Sequence, residues 1–281
     1  MPEATSQKVR LINKRPNQAG GRLLMLLPFA LLLIAYAVGS EIRLSDNPND
    51  KLLPSFPTLY EAVQRMAFEP DKRTGNYLLW QDTVASLMRL SIGVLVATLM
   101  GSIVGIAVGL IPYVNRTMSA FISVLAMIPP LAVLPILFIT FGLGELAKIV
   151  LIVFGIAPFM MRDIALRVGE LPSEQIVKAQ TLGASTWHIA WRIVLPQMWP
   201  RIIDALRLSL GTAWLFLIAA EAIAAQSGLG YRIFLLRRYL AMDVILPYVA
   251  WITFLAVLFD YTLQKFQIIA FPWFAVGRSS E

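Results

Sequence analysis

The stretch TLGASTWHIAWRIVLPQ, residues 181–197, interrupts a chain that is otherwise largely apolar. Upstream, LPSEQIVKAQ (171–180) reads as a short polar helix. Ser173 is its expected N-cap, and Glu174 lies in the first turn, where the helix dipole favours negative charge. Gly183 falls where such a helix stops in a left-handed conformation. Ser185 then caps a second helix, in which Trp187, Ala190, Trp191 and Val194 recur at i, i+3, i+4 and i+7. Leu195-Pro196 is expected to end it, because the residue before a proline avoids the α region. The spacing thus predicts an L-shaped pair of helices, one anchored by an apolar stripe with interfacial Trp, the other polar and projecting.

The composition around this element sets the class. Of 281 residues, 58% are hydrophobic and 15% charged, with a mean hydropathy of +0.69; a soluble domain has roughly 45–50% apolar and about 25% charged residues. Leu23–Ser40, Leu90–Asn115 and Thr117–Gly144 carry no charge, and each approaches or exceeds the ~20 residues that a span needs. Ile149–Met161, Leu208–Ala220 and Val244–Phe259 become spans once flanking Lys148 or Lys265 snorkels. The expectation is an all-α polytopic membrane protein of about six transmembrane helices.

Its organisation reads as a cytoplasmic basic tail (1–22), a first helix (23–40), an external amphipathic segment (41–85), a membrane core (86–269) and a C-terminal tail (270–281). Within the core, spans near 86–111, 118–141, 145–161, 206–226 and 244–269 are joined by an inner turn PYVNRT, an outer turn GLGE, an inner loop 162–205 and an outer loop 227–243. The larger share of the 24 Lys and Arg falls on segments placed inside, so the net charge of +7 reflects topology and not a nucleic-acid partner. Ala35 and Ala37 resemble a signal-peptidase site, but the basic tail is long for a signal peptide. An uncleaved first helix is expected. In LLPSFPTLYEAVQRMAF (52–68), Leu59, Val63 and Met66 form one stripe of a proline-started helix on the outer rim.

Gly183, Ile193 and Leu195-Pro196 resemble the end of the coupling-loop signature of bacterial ABC importer permeases. The start of that signature, Glu-Ala-Ala, is represented here by Val177, Lys178 and Ala179, so only the last alanine matches. SLMRLSIGVLVATLMGSIVGIAVGL, MIPPLAVLPILFITFGLGELAKI, AQTLGAS and AWLFLIAAEAIAAQSGLGY are similar to permeases of the nitrate, sulfonate and taurine importer group. RRYLAMDVILPYVAWITFLA resembles permeases linked to guanidine or urea-carboxylase use. The resemblance implies a MetI-like permease core in the bacterial inner membrane and a second permease copy, most simply in a homodimer. It also implies ABC ATPase subunits and a periplasmic or lipid-anchored solute-binding protein. Contact with the ATPase would fall on Lys178, Ala179, Gly183, Ala184, Ser185, Ile193, Leu195 and Pro196.

The residues agree with that division of labour. The chain has no G-x-x-x-x-G-K-[ST] phosphate loop, no Cys for a disulfide, thiolate metal site or nucleophile, and one His, His188, in an interfacial setting. No catalytic residue, metal or cofactor is expected. Gly101, Gly105 and Gly109, extended back by Ala97, form a small-residue ladder that serves either a moving or dimerising interface or packing within the subunit. Pro129, Pro130 and Pro135 must bend or break their span. With Trp214 and Glu221 they are the candidates for the translocation path or gate. Glu221, an ionisable group inside a span, would pair with a base such as Arg89, border the path, or bond a neighbouring helix. Asp260 is expected to pair with Lys265 or reach water, and Arg232, Arg237 and Arg238 to snorkel at the outer rim. An ion-gradient carrier is the main alternative, but it predicts several buried carboxylates and inverted repeats. A scaffold without transport leaves the prolines and the 171–197 loop unused.

Overall fold

The computed structural model describes residues 17–48, 50–72 and 75–274. The expected tails lie mostly outside these residues. In chain order the helices are α1 (Gln18–Asp46), α2 (Phe56–Ala67), α3 (Leu78–Leu110), α4 (Pro112–Met127), α5 (Pro130–Phe141), α6 (Glu145–Gly169), α7 (Ser173–Thr181), α8 (Thr186–Ile189), α9 (Leu195–Ala224), α10 (Leu229–Arg237) and α11 (Met242–Ala270). A π-turn, Ala190–Val194, joins α8 to α9. Among the described residues, 5 helices are long and apolar enough to cross a bilayer, or 6 if one bent pair counts as a span.

The core is a zipper between α3 and α6, which pack most extensively of all. Added Cβ atoms would fall 2.7 Å from Met160 Cβ at Gly101, 2.8 Å from Ile164 Cβ at Gly105 and 2.5 Å from Val168 Cβ at Gly109. Such approaches are closed to any residue but glycine. The ladder is consumed by packing within the subunit and is not free for a second copy.

The proline-bearing span is two helices. α4 and α5 meet at 93°, with Pro129 as the N-cap of α5 and Pro130 in its first turn. Neither proline can donate an N–H, so the break falls where no intrahelical bond could be made. Pro135 stays inside α5. The expected inner turn PYVNRT is helical instead: Pro112 opens α4, a position where its missing N–H costs nothing. The outer turn GLGE is observed, with Gly142 at φ 74°.

α1 stands away from the bundle, with Leu23 through Leu33 largely exposed. It is held near its far end, where Tyr36 OH donates to Pro54 O (2.6 Å) and Ser40 Oγ to Leu53 O (2.9 Å). α2 is the expected proline-started helix, capped by Ser55, with Ala62, Met66 and Ala67 buried and Val63 half-buried against α3 and α11.

Candidate functional site

Two features concentrate chemistry, one at each end of the bundle. The first is the 171–197 element. Helix α7 begins at Ser173, but Pro172 occupies the cap position and the Ser173 side chain makes no capping bond. The helix ends as its glycine dictates. Gly183 has φ 81°, Ala184 N–H donates to Ala179 O (3.0 Å) and Gly183 N–H to Gln180 O (2.9 Å). This pair of bonds is a Schellman motif, which satisfies carbonyls the helix would otherwise leave open. Ser185 Oγ then accepts from His188 N–H (3.3 Å) and caps α8.

Two expectations fail here. Leu195-Pro196 does not stop the second helix. The π-turn intervenes, with Leu195 N–H reaching Ala190 O, and Pro196 lands in the first turn of α9, where a proline is tolerated. Thr186–Ala224 is therefore one continuous helical run of 39 residues, and the inner loop shrinks from 162–205 to the segment between α6 and α8. Nor does α7 project freely. Ala179 is buried with Leu171, Ile189, Val194 and Met198, and Gln197 Nε2 donates to Gln175 Oε1 (3.0 Å). Lys178, Ser185 and Pro196 remain exposed, while Ala184, Ile193 and Leu195 are half-buried. Trp187 and Trp191 are exposed and meet edge to face, 5.5 Å apart.

The second feature is a buried polar cluster at the opposite end. Asp82, Ser86 and Arg89 lie at i, i+4 and i+7 on α3, on one helical face. Glu221 on α9 is fully buried. Its Oε1 accepts from Arg89 Nη1 (2.7 Å) and Ser86 Oγ (2.8 Å), and its Oε2 from Gly230 N–H (2.9 Å). Arg89 also donates to Ser227 O (2.7 Å) and holds Glu145 with its other guanidinium nitrogens. Lys148 Nζ donates to Glu145 Oε1 (2.7 Å). Asp82 accepts from Gly228 N–H (2.9 Å), Arg232 Nε (2.8 Å) and Tyr248 OH (3.2 Å), and Ser86 Oγ accepts from Leu229 N–H (2.8 Å).

Three carboxylates thus face three cations, so the cluster is neutral and its buried polar atoms are paired, as burial requires. The N–H groups opening α10, at Gly228, Leu229 and Gly230, end on side chains of α3 and α9. Those first-turn donors have no intrahelical partner. Gly228, at φ 129°, brings its backbone so close that a Cβ would lie 2.5 Å from Glu221 Cδ. Asp82, Glu145, Arg232 and Tyr248 were not singled out for this cluster from sequence. Asp82 and Arg89, the two charged residues of α3 and seven positions apart, were the signal available.

With this geometry in place, comparison with known proteins decides the family. The family model described as binding-protein-dependent transport system inner membrane component matches residues 84–267, most of the chain. The chain belongs to this family.

Among relatives of this permease, the taurine transport system permease protein TauC of Escherichia coli K12 is 41% identical over 196 residues, covering 69% of this chain and 71% of that one. The putative aliphatic sulfonates transport permease protein SsuC of the same strain is 30% identical over 195 residues, 69% and 74% of the two chains. The bicarbonate transport system permease protein CmpB of Synechococcus elongatus is 34% identical over 156 residues, 55% of each. An inward-facing structure of the MetNI methionine ABC transporter superposes with a TM-score of 0.57 at 20% identity, over 76% of this chain and 98% of that one, which fixes the fold. The permease is an all-α, multi-pass inner membrane protein, a transport subunit and not an enzyme.

The remaining candidate residues are dispersed in the permease. Trp214 is buried, and its Nε1 has no hydrogen-bond partner among the described residues. A cavity of about 280 Å³ at the α4–α5 bend is lined by Ile128, Pro130, Gly155, Ser209, Thr212 and Phe216 among others, but by neither Trp214 nor Glu221. Asp260 pairs with Arg207 (2.8 Å) and not Lys265, because Arg207 on α9 faces it across the helix contact while Lys265 lies over the Tyr261 ring. Arg232 does not snorkel; it is drawn in by Asp82. Arg237 lies over the Phe234 ring.

Proposed function

We propose that this permease passes a small polar solute, received from a periplasmic or lipid-anchored binding protein, into the cytoplasm by alternating access driven by ATPase subunits. The observation that carries the coupling is the Gly183 turn. It presents the polar outer face of α7, Lys178 included, beside a helix that runs without interruption into span α9. The ATPase contact is assigned to α7 through Ser185, and Ile193, Leu195 and Pro196 carry the motion into α9. That face is cytoplasmic, and the polar cluster lies at the external end.

A homodimer of permeases forms the path. The bend at Pro129–Pro130 and the uncharged cavity beside it border that path, and the neutral cluster around Glu221 holds its external end. The solute belongs to the nitrate, sulfonate and taurine class or is a small nitrogen compound such as guanidine. The relatives named for transport of taurine and aliphatic sulfonates support the first choice.

The experiment is affinity purification from the native membrane, followed by reconstitution with the co-purifying subunits. ATP-dependent uptake that requires a P-loop ATPase supports the reading. Uptake driven by an ion gradient without ATP would overturn it.

A further inference from the structure

A second polar pocket, separate from both features above, lies between α3, α4 and α6 at the end of the bundle that carries α7. It encloses about 150 Å³ and is walled by Asn115, Ser119 and Ser123 on α4 and Arg162 on α6, over an apolar floor that includes Val108 and Ile122. The charges around it are unbalanced. Asp163 is held by Arg167 (2.6 Å) and Glu170 by Arg201 (3.2 Å), so the nearest carboxylates on this end of α6 are already matched. Arg162 is exposed and pairs with no carboxylate among the described residues, and the same holds for Arg116, next to Asn115 on α4.

Depth along the helix identifies the ligand. Arg162 lies seventeen positions beyond Glu145, about 26 Å along the axis at 1.5 Å per residue. That nearly equals the ~30 Å hydrocarbon thickness, so with Glu145 at one membrane surface Arg162 sits at the other. A guanidinium flanked by hydroxyls at that level matches phosphate oxygens. The apolar floor and the exposed Leu166 beside it suit the start of an acyl chain.

We propose that this pocket binds the phosphate of an anionic phospholipid from the leaflet on the α7 side. The guanidinium of Arg162 grips the phosphate, and Ser119 donates to a remaining oxygen, joined by Ser123 once its hydroxyl turns from the Ser119 carbonyl to which it donates (2.8 Å). Basic pockets between helices at this level are suited to lipid headgroups. The assignment depends on no particular solute and on no particular ATPase.

The test is lipid retention by the complete transporter, purified from nanodiscs of phosphatidylcholine with phosphatidylglycerol and read by native mass spectrometry. Arg162→Gln should lower retained phosphatidylglycerol on the order of tenfold, the scale of one lost charge-assisted bond. Ser119→Ala with Ser123→Ala should lower it less, and Arg237→Gln, at the opposite end, should leave it unchanged. Wild-type retention in Arg162→Gln would overturn the site. Displacement of the lipid by inorganic phosphate or taurine would also overturn it, since the pocket would then serve a free oxyanion. Uptake assays play no part in this reading, so it stands or falls separately from the proposed transport function.

Discussion

Arg89 and Glu221, 132 positions apart in sequence, meet at 2.7 Å with both side chains almost wholly buried. The contact ties α3 to α9 and, through Ser227 and Gly230, to the entry of α10. Breaking a buried pair outright costs about 3–5 kcal/mol; here Glu145 still holds Arg89 when Glu221 is lost, so the cost falls below that range while the cluster is left one positive charge in excess. Glu221→Gln keeps the shape but not the charge, and should lower the thermal midpoint of the purified permease clearly. Arg89→Met with Glu221→Leu should recover part of that loss. A double variant no more stable than the worse single one would show that the pair is not coupled.

The glycine ladder predicts a contrast along one pair of helices and its neighbour. Gly105→Ala would put a methyl 2.8 Å from both Ile164 Cβ and Met161 O, so overpacking should cost roughly 1–3 kcal/mol. Gly211→Ala, on α9 with nothing within 4 Å of the new atom, should be neutral or stabilising by up to about 1 kcal/mol. Denaturation of the two variants in the same detergent checks the difference. Equal stability would mean that α3 and α6 can part without cost.

At Gly183 the constraint is torsional only. Its φ is 81°, and a Cβ there would meet nothing within 4 Å. Gly183→Val should therefore uncouple ATP hydrolysis from uptake through backbone strain on the order of 1–2 kcal/mol. Gly183→Asn, which tolerates the left-handed region, should retain most coupling. The ratio of ATP hydrolysed to solute moved, measured in proteoliposomes, separates them. Normal coupling in the valine variant would remove the turn from the mechanism.

Asp82 gathers Gly228 N–H, Arg232 and Tyr248 OH on one carboxylate. Asp82→Ala should free the entry of α10 before any global unfolding, giving faster hydrogen exchange at Gly228–Gly230 while α3 and α6 stay protected. Unchanged exchange across that entry would mean that Glu221 and Ser86 hold it without help.

How much of this was legible depended on range. The Gly183 stop and the Ser185 cap are decided within a few residues, so spacing alone located them. Glu221 stood out as a lone charge in oil, and Arg89 as its base, because each is costly without the other. Asp82 and Arg232 are separated by 150 positions, and nothing local distinguishes a snorkelling arginine from one drawn inward by a carboxylate on another helix. Pro196 misled for a related reason. Its usual effect is to end a helix, and a π-turn removed the clash by widening the turn before it. Ala179 fits the signature but faces the core, since sequence fixes the position of a residue along a helix before it fixes the face.

That π-turn has a geometric consequence for the whole subunit. Each residue of an α-helix advances the azimuth by about 100°, and the run Thr186–Ala224 passes through a single wide turn on its way from Trp187 to Glu221. The wide turn sets the rotational phase between the two ends, so that Trp187 and Trp191 stay exposed while Glu221 points at Arg89. Deleting one residue from Ala190–Val194 would leave every local sequence motif beyond it intact. It would also let that turn close as an ordinary α-turn, leaving the far end near its present azimuth, because a wide turn takes up one extra residue without passing the rotation on, like slack in a chain.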